Sequence, residues 1–138
     1  MTTVEHTIEL PEPSEHLVAH REALAEGRLT FQRCSRCRNA WLPPRDHCPR
    51  CLSAEWSWED ASGRAKVVSW VVYHRSYHPA FADRIPYNVV VVELEEGPRM
   101  ISNVVGIEGA EGLAIDAPLE VCFEREGDVP VARFRLVR

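Results

Sequence analysis

The residues of this chain best suited to chemistry are four cysteines near its middle. They come as two pairs, Cys34-Ser35-Arg36-Cys37 and Cys48-Pro49-Arg50-Cys51, separated by Arg38 to His47. A C-x-x-C segment set in turn-forming residues folds into a tight knuckle whose two sulfurs point at a common centre. Two facing knuckles bring together four thiolates, the donor set of a closed structural zinc site. One pair alone would serve a redox motif equally well. Two pairs within one short segment favour a metal, and the gap between them suits a short hairpin.

Other occupants of the four sulfurs remain open at this level. Iron takes the same ligands in rubredoxin-type sites, and two disulfides are a further alternative. Zinc with four thiolates is a net anion, and Arg33, Arg36, Arg38 and Arg50 lie in or beside the knuckles. These arginines either offset that charge or bind an anionic ligand.

Little else offers chemistry. The fifth cysteine, Cys122, sits between Glu120 and Glu124 in an alternating segment. Acidic neighbours raise a thiol pKa, so Cys122 reads as a small structural hydrophobe and not as a nucleophile. A catalytic zinc needs an open coordination position, and four cysteines leave none. There is no glycine-rich phosphate loop, and acids such as Asp60 and Glu95-Glu96 read as solvated turns. The chain is expected to have no catalytic activity of its own.

At 138 residues, with 45% hydrophobic content, the sequence suits one domain or a small module attached to one. Apolar runs such as Val67 to Tyr73 and Val89 to Val92 are far too short to span a bilayer. The start, Met1 to His6, lacks the basic and apolar regions of a signal peptide. Reduced thiols then imply the cytoplasm. A net charge of −5 disfavours general binding to nucleic acid or to an anionic membrane.

The elements that position the cysteines follow from patterning. Residues 1–13, punctuated by Pro11 and Pro13, read as a flexible or surface-bound tail. Ser14 is an N-cap and Glu15 suits the first turn, so a helix is expected over 14–26, stopped by Gly27. Its narrow apolar stripe of Leu17, Val18, Leu24 and Ala25 covers either this chain's core or another protein. A short strand, Leu29 to Arg33, leads into the first knuckle. Pro43 and Pro44 bar helix between the knuckles. Trp56 and Trp58 alternate with Ser57 and Glu59, and are expected to cover the ribbon or its junction. After Gly63 five strands follow: Val67 to Tyr73, Tyr87 to Leu94, Met100 to Val105, Pro118 to Glu124 and Ala132 to Val137. Five short strands suit a small barrel, of OB type or, as the alternative, SH3-like. The expected fold is mainly β: an N-terminal tail and helix over 1–28, a rubredoxin-like zinc ribbon over 29–62, and a five-stranded OB-fold barrel over 63–138. The long connection His74 to Pro86 is either one wall of a ligand cleft or a surface loop whose aromatics pack on the barrel.

Several motifs resemble one family. They are Gly27-Arg28-Leu29, the two cysteine pairs, Pro43-Pro44-Arg45 between them, the Val67 to Tyr73 strand, Pro86-Tyr87, Val92-Glu93-Leu94-Glu95-Glu96-Gly97 and Phe123. Together, from about residue 14 onward, the chain resembles the DUF35 family of acyl-CoA-associated zinc-ribbon and OB-fold proteins. It departs from the family's glycines at Arg38-Asn39 after the first knuckle and at Ile115 to Pro118 before the fourth barrel strand.

The resemblance implies an accessory role with structural Zn2+. Family members pair with thiolase-like enzymes, hydroxymethylglutaryl-CoA synthases, retro-aldol lyases or hydratases, and help bind acyl-CoA or bridge active sites. The phosphates of coenzyme A would then meet Arg33, Arg36, Arg38, Arg45 and Arg50, and the rest would run along Tyr73, Arg75, Tyr77, Phe81 and Tyr87. The alternative is a single-stranded nucleic-acid binder using the same cations and aromatics. The acidic balance and the Glu-rich stretch Glu93 to Glu96 argue against it.

Overall fold

Both ends of the single helix are set by local chemistry. The computed structural model describes residues 12–138, so the expected tail lies outside the described residues as far as residue 11. Helix α1 spans Glu15–Ala25, and the Ser14 hydroxyl accepts from Leu17 N at 3.2 Å. Gly27 takes φ 77°. There Gly27 N donates to Leu24 O and Arg28 N to Ala23 O, which closes the helix with a Schellman turn.

Strand β1 (Thr30–Cys34) follows at once and pairs antiparallel with β2 (Ala40–Trp41) on one side and β3 (Trp56–Asp60) on the other. This small sheet is the ribbon. Gln32 in its central strand is fully buried. Its amide donates to Arg45 O at 2.8 Å and accepts from Arg45 N at 2.7 Å, so a side chain supplies the pairing that the proline-rich Pro43-Pro44 segment cannot.

The remaining strands are β4 (Arg64–Tyr73), β5 (Tyr87–Leu94), β6 (Arg99–Ser102), β7 (Pro118–Glu126) and β8 (Val129–Leu136), ordered β6-β5-β4-β7-β8. All pair antiparallel. A register shift between Val67 and Ser69 bends β4, which pairs with β7 only over Arg64 to Lys66 and with β5 as far as Tyr73. The curled sheet is then joined across its ends by a parallel bridge, Val104 to Phe134. Phe134 N donates to Asn103 O and Val105 N to Phe134 O. The buried Asn88 amide locks this seam: it donates to Val104 O (2.8 Å) and Gly109 O (2.9 Å) and accepts from Val104 N (2.7 Å). Five strands in this order, closed by a parallel contact between the third and fifth, form the expected OB-type fold and not the SH3-like alternative.

The core gathers Val67, Val90, Val92, Leu94, Val104, Leu119, Ala132 and Phe134 from the strands, with Leu24 of α1 and Leu29. The helix therefore covers this chain's own barrel. Its buried face is His20, Ala23 and Leu24, whereas Val18 and Ala25, expected on the stripe, are exposed. The expected stripe did not include His20, which is buried. His20 stacks on Trp58 (6.0 Å) and its Nδ1 lies 3.3 Å from Thr30 Oγ1. One turn earlier, His16 meets Trp56 edge-on at 4.9 Å and Asp46 at 2.8 Å. Trp56 and Trp58 thus cover the junction of helix and ribbon.

Burial, and then Arg21, lower the His20 pKa from 6.5 to about 4, against a small upward pull from Thr30. The unfolded chain takes up this proton near pH 6.5, the folded chain only near pH 4. Between those values the unfolded state binds more protons, so stability falls as pH drops, by about 3 kcal/mol in all. Urea unfolding of the wild-type chain and of His20→Gln, compared from pH 7 to pH 4, should show the variant with the shallower loss.

Candidate metal centre and neighbouring cleft

Cys34 ends β1, so the sheet fixes its sulfur, and the two knuckles then repeat one another bond for bond. Arg36 N and Cys37 N donate to Cys34 Sγ (3.4 Å each), and Arg50 N and Cys51 N to Cys48 Sγ (3.4 and 3.5 Å). Arg38 N closes the first turn on Cys34 O and Leu52 N the second on Cys48 O. Cys34 N and Cys48 N pair with Asn39 O and Ser53 O. The Asn39 amide crosses from the first knuckle to Cys48 Sγ at 3.7 Å.

The four sulfurs lie within 4.8 Å of one another, and all five cysteines of the chain are free. Cys34–Cys51 and Cys37–Cys48 are 3.5 and 3.6 Å apart. A tetrahedral zinc site with bonds of about 2.3 Å has sulfur–sulfur edges of about 3.8 Å. The donor set therefore fits a tetrahedral thiophilic metal. Cys34 and Cys48 are buried and Cys51 is exposed. The Cys37 N–H leads in lowering the Cys34 pKa, against burial and with help from Arg36 N. At Cys48 burial opposes the shift, but the N–H groups of Cys51 and Arg50, with Cys37 and Asn39, bring it to about 6. Cys51 moves the other way: the Ser53 N–H pulls it down, but burial and the other three sulfurs push it up to about 11. Thiolates this close repel one another, and a cation among them removes the conflict.

The knuckle arginines point elsewhere. Arg33 donates to Glu59 (2.6 Å) and to Arg38 O (2.9 Å). Arg36, Arg38, Arg45 and Arg50 are exposed on the ribbon. None of the five borders the large cleft of the molecule, a groove of about 1520 Å³ between α1, the β4–β5 connection and the β7–β8 hairpin.

Four of the candidate aromatics do line it. Tyr73 and Tyr87, cross-strand partners, stack at 5.1 Å. Tyr77 meets Tyr73 edge-on at 6.1 Å, and Phe81 lies 5.9 Å from Tyr87. A short 3-10 turn, Pro79–Phe81, capped by His78 Nδ1 accepting from Ala80 N, sets the Phe81 ring. Arg75 stacks over Tyr77 at 5.7 Å but stands outside the cleft. Sequence reasoning passed over Arg84, whose guanidinium lies 4.8 Å from the Phe81 ring and pairs with Glu126. Its place among the loop aromatics was the available signal. The expectation that no two histidines form an H-x-x-x-H pair on a helix fails, since His16 and His20 have that spacing on α1. Both turn to the tryptophans, and among the described residues only the four cysteines cluster as metal donors. Cys122 is half-buried, its thiol raised by burial and then by Glu124.

Arg38 and Asp116, which lie in the two stretches Arg38-Asn39 and Ile115 to Pro118, both take left-handed backbone, φ 65° and 64°. The fold keeps the turn that glycine would favour and carries the strain of a side chain there, about 1 kcal/mol or more each. Arg38→Gly should therefore raise the midpoint of thermal or urea unfolding, by about 1 kcal/mol in stability.

Two family models match the chain: the ChsH2 rubredoxin-like zinc ribbon domain over residues 21–57 and the ChsH2 C-terminal OB-fold domain over 58–124. A probable enoyl-CoA hydratase alpha subunit of Thermomonospora curvata is 44% identical over 86 residues, 62% of this chain but 26% of that protein, so the chain spans about a quarter of its length. A DUF35 domain-containing scaffold protein of Methanothermobacter thermautotrophicus is 33% identical over 98 residues, 70% of this chain and 72% of the relative. Among solved structures, the Ltp2-ChsH2(DUF35) aldolase superposes with a TM-score of 0.79 at 34% identity, covering 92% of this chain and 98% of that one. With ribbon, barrel and both cysteine knuckles matched in order, the chain belongs to the DUF35 family of ChsH2-type zinc-ribbon and OB-fold proteins.

Proposed function

We propose that this chain is a non-catalytic, zinc-bearing subunit that partners an acyl-CoA enzyme of thiolase fold, or an aldolase or hydratase, and helps that enzyme bind acyl-CoA. The observation that carries the reading is the cluster of four sulfurs, which fills the coordination shell of a tetrahedral metal. Cys34, Cys37, Cys48 and Cys51 would hold zinc, which supplies a cross-link and no open position for substrate. The one remaining cysteine, Cys122, has its thiol raised and so lacks the activation a nucleophile needs. Relatives described as an enoyl-CoA hydratase subunit, a scaffold protein and an aldolase complex support a role beside an enzyme. A cleft walled by aromatics and arginines supports contact with an anionic, partly planar ligand such as acyl-CoA.

The division of labour is testable by isolating the chain from its native cell. An acyl-CoA enzyme of thiolase, aldolase or hydratase type should co-purify in fixed ratio, and turnover should need that partner. Thioester turnover by the chain alone would sink the reading.

The metal is tested separately. Cys48→Ala should lose zinc by elemental analysis. Hydrogen exchange should then rise across residues 30–60 and α1, whose His16 and His20 rest on ribbon residues, while the β4–β8 amides stay protected. Apparent zinc-binding energies in small modules reach about 10–16 kcal/mol, so metal loss should outweigh any single packing change in the ribbon.

A further inference from the structure

The cleft differs in charge from the rest of the chain. The protein carries a net charge of −5, yet the cleft is lined by Arg21, Arg84, Arg125 and Arg133 against Glu124 and Glu126. Four cations facing two carboxylates leave a positive wall on an acidic protein. The same cleft is lined by an aromatic wall of Tyr73, Tyr77, Phe81 and Tyr87. We infer that this cleft binds a nucleotide moiety, a planar heteroaromatic ring joined to phosphate, with the ring against the tyrosine wall and the phosphate on the arginine wall.

Three features of the geometry carry this. First, Arg84 sits where the walls meet, over Phe81 and beside Glu126, so one guanidinium borders both the stacking surface and the cationic surface. Second, Glu126 also accepts from Arg133 at 3.1 Å, and Glu124 lies 3.6 Å from Arg133. The acids hold both arginine planes in place, so little side-chain freedom is left to lose when an anion arrives. Third, Tyr77 is 76% exposed, with its ring held edge-on to Tyr73 and covered on one side by Arg75. An open aromatic face next to cations is the surface on which bases stack irrespective of sequence.

The inference deepens the acyl-CoA reading and rests on it in one respect: coenzyme A carries such a moiety at one end. It reassigns the phosphate contacts from Arg36, Arg38, Arg45 and Arg50 of the ribbon to the arginines of the cleft. A single strand of nucleic acid offers the same ring and phosphate, so the test must separate the two sources.

The experiment is a titration of the zinc-loaded full chain with adenosine 3′,5′-bisphosphate, followed by calorimetry and amide chemical shifts. In parallel arms the titrants are adenosine, inorganic phosphate and a short oligothymidylate. Saturable binding of the bisphosphate should exceed that of adenosine or phosphate alone, with shifts centred on Tyr77 to Tyr87 and Glu124 to Arg133. Arg133→Met should weaken it about tenfold, as should Tyr77→Leu, a change at a mostly exposed ring outside the buried core. Arg36→Met and Arg50→Met should leave it within about twofold, as exposed charges remote from the ligand do. No saturable binding, equal binding of phosphate alone, or loss only in the ribbon variants would overturn the site. Oligothymidylate binding at the same residues, tighter than the bisphosphate and falling steeply with salt, would keep the site but overturn the acyl-CoA reading. Co-purification of a partner with no nucleotide binding would do the reverse.

Discussion

Sulfur stands in for a hydrophobic core in the first half of this molecule. The ribbon's buried cluster is Cys34, Trp41 and Cys48, with Cys37 and Trp56 packed against it. Apart from the cysteines, two tryptophans are all the apolar bulk it contains. Such a cluster cannot offset the chain entropy of ordering three short strands and two turns. The backbone instead directs N–H groups at sulfur, two per knuckle on Cys34 and Cys48, and so gathers four sulfurs close enough to hold one cation. The two knuckles meet that requirement in two copies of the same turn.

The helix transmits this order to the barrel. Its Leu24, with Leu29 just beyond, enters the barrel core, while His16 and His20 lean on Trp56 and Trp58 of the ribbon. A third part of the same helix, Leu17 and Arg21, borders the cleft. Ribbon, barrel and cleft therefore share one element of eleven residues. The buried histidine is well suited to this place: neutral, it stacks on indole and pairs with Thr30 without bringing a charge into the interface.

Electrostatics divides the surface into two regions that composition alone merges. The ribbon arginines are spread over an exposed module beside the cysteine cluster. Two of the cleft arginines, Arg84 and Arg133, are gathered by Glu124 and Glu126 of β7. Ion pairs at this degree of exposure contribute little to stability. Their effect here is positional, since they fix guanidinium planes next to an aromatic wall.

The sequence by itself determined the elements whose cause is local. Two C-x-x-C knuckles, the Ser14 cap, the Gly27 stop and five alternating strands are all written within a few residues of where they act, and β5 starts and ends where its pattern does. What depends on distant parts of the chain was decided only by the tertiary structure. His20 was concealed because its burial needs Trp58, far along the chain, to cover it. The closure of the sheet rests on Asn88 reaching Val104, which no periodicity encodes. Arg84 and the ribbon arginines are alike in sequence, cations near aromatics or cysteines, and their separation arises from the packing of α1 and the β7–β8 hairpin around one groove. Spacing along a chain governs turns and faces, but which cations share a site is set by strand order and curvature, because these bring residues more than forty positions apart into one wall.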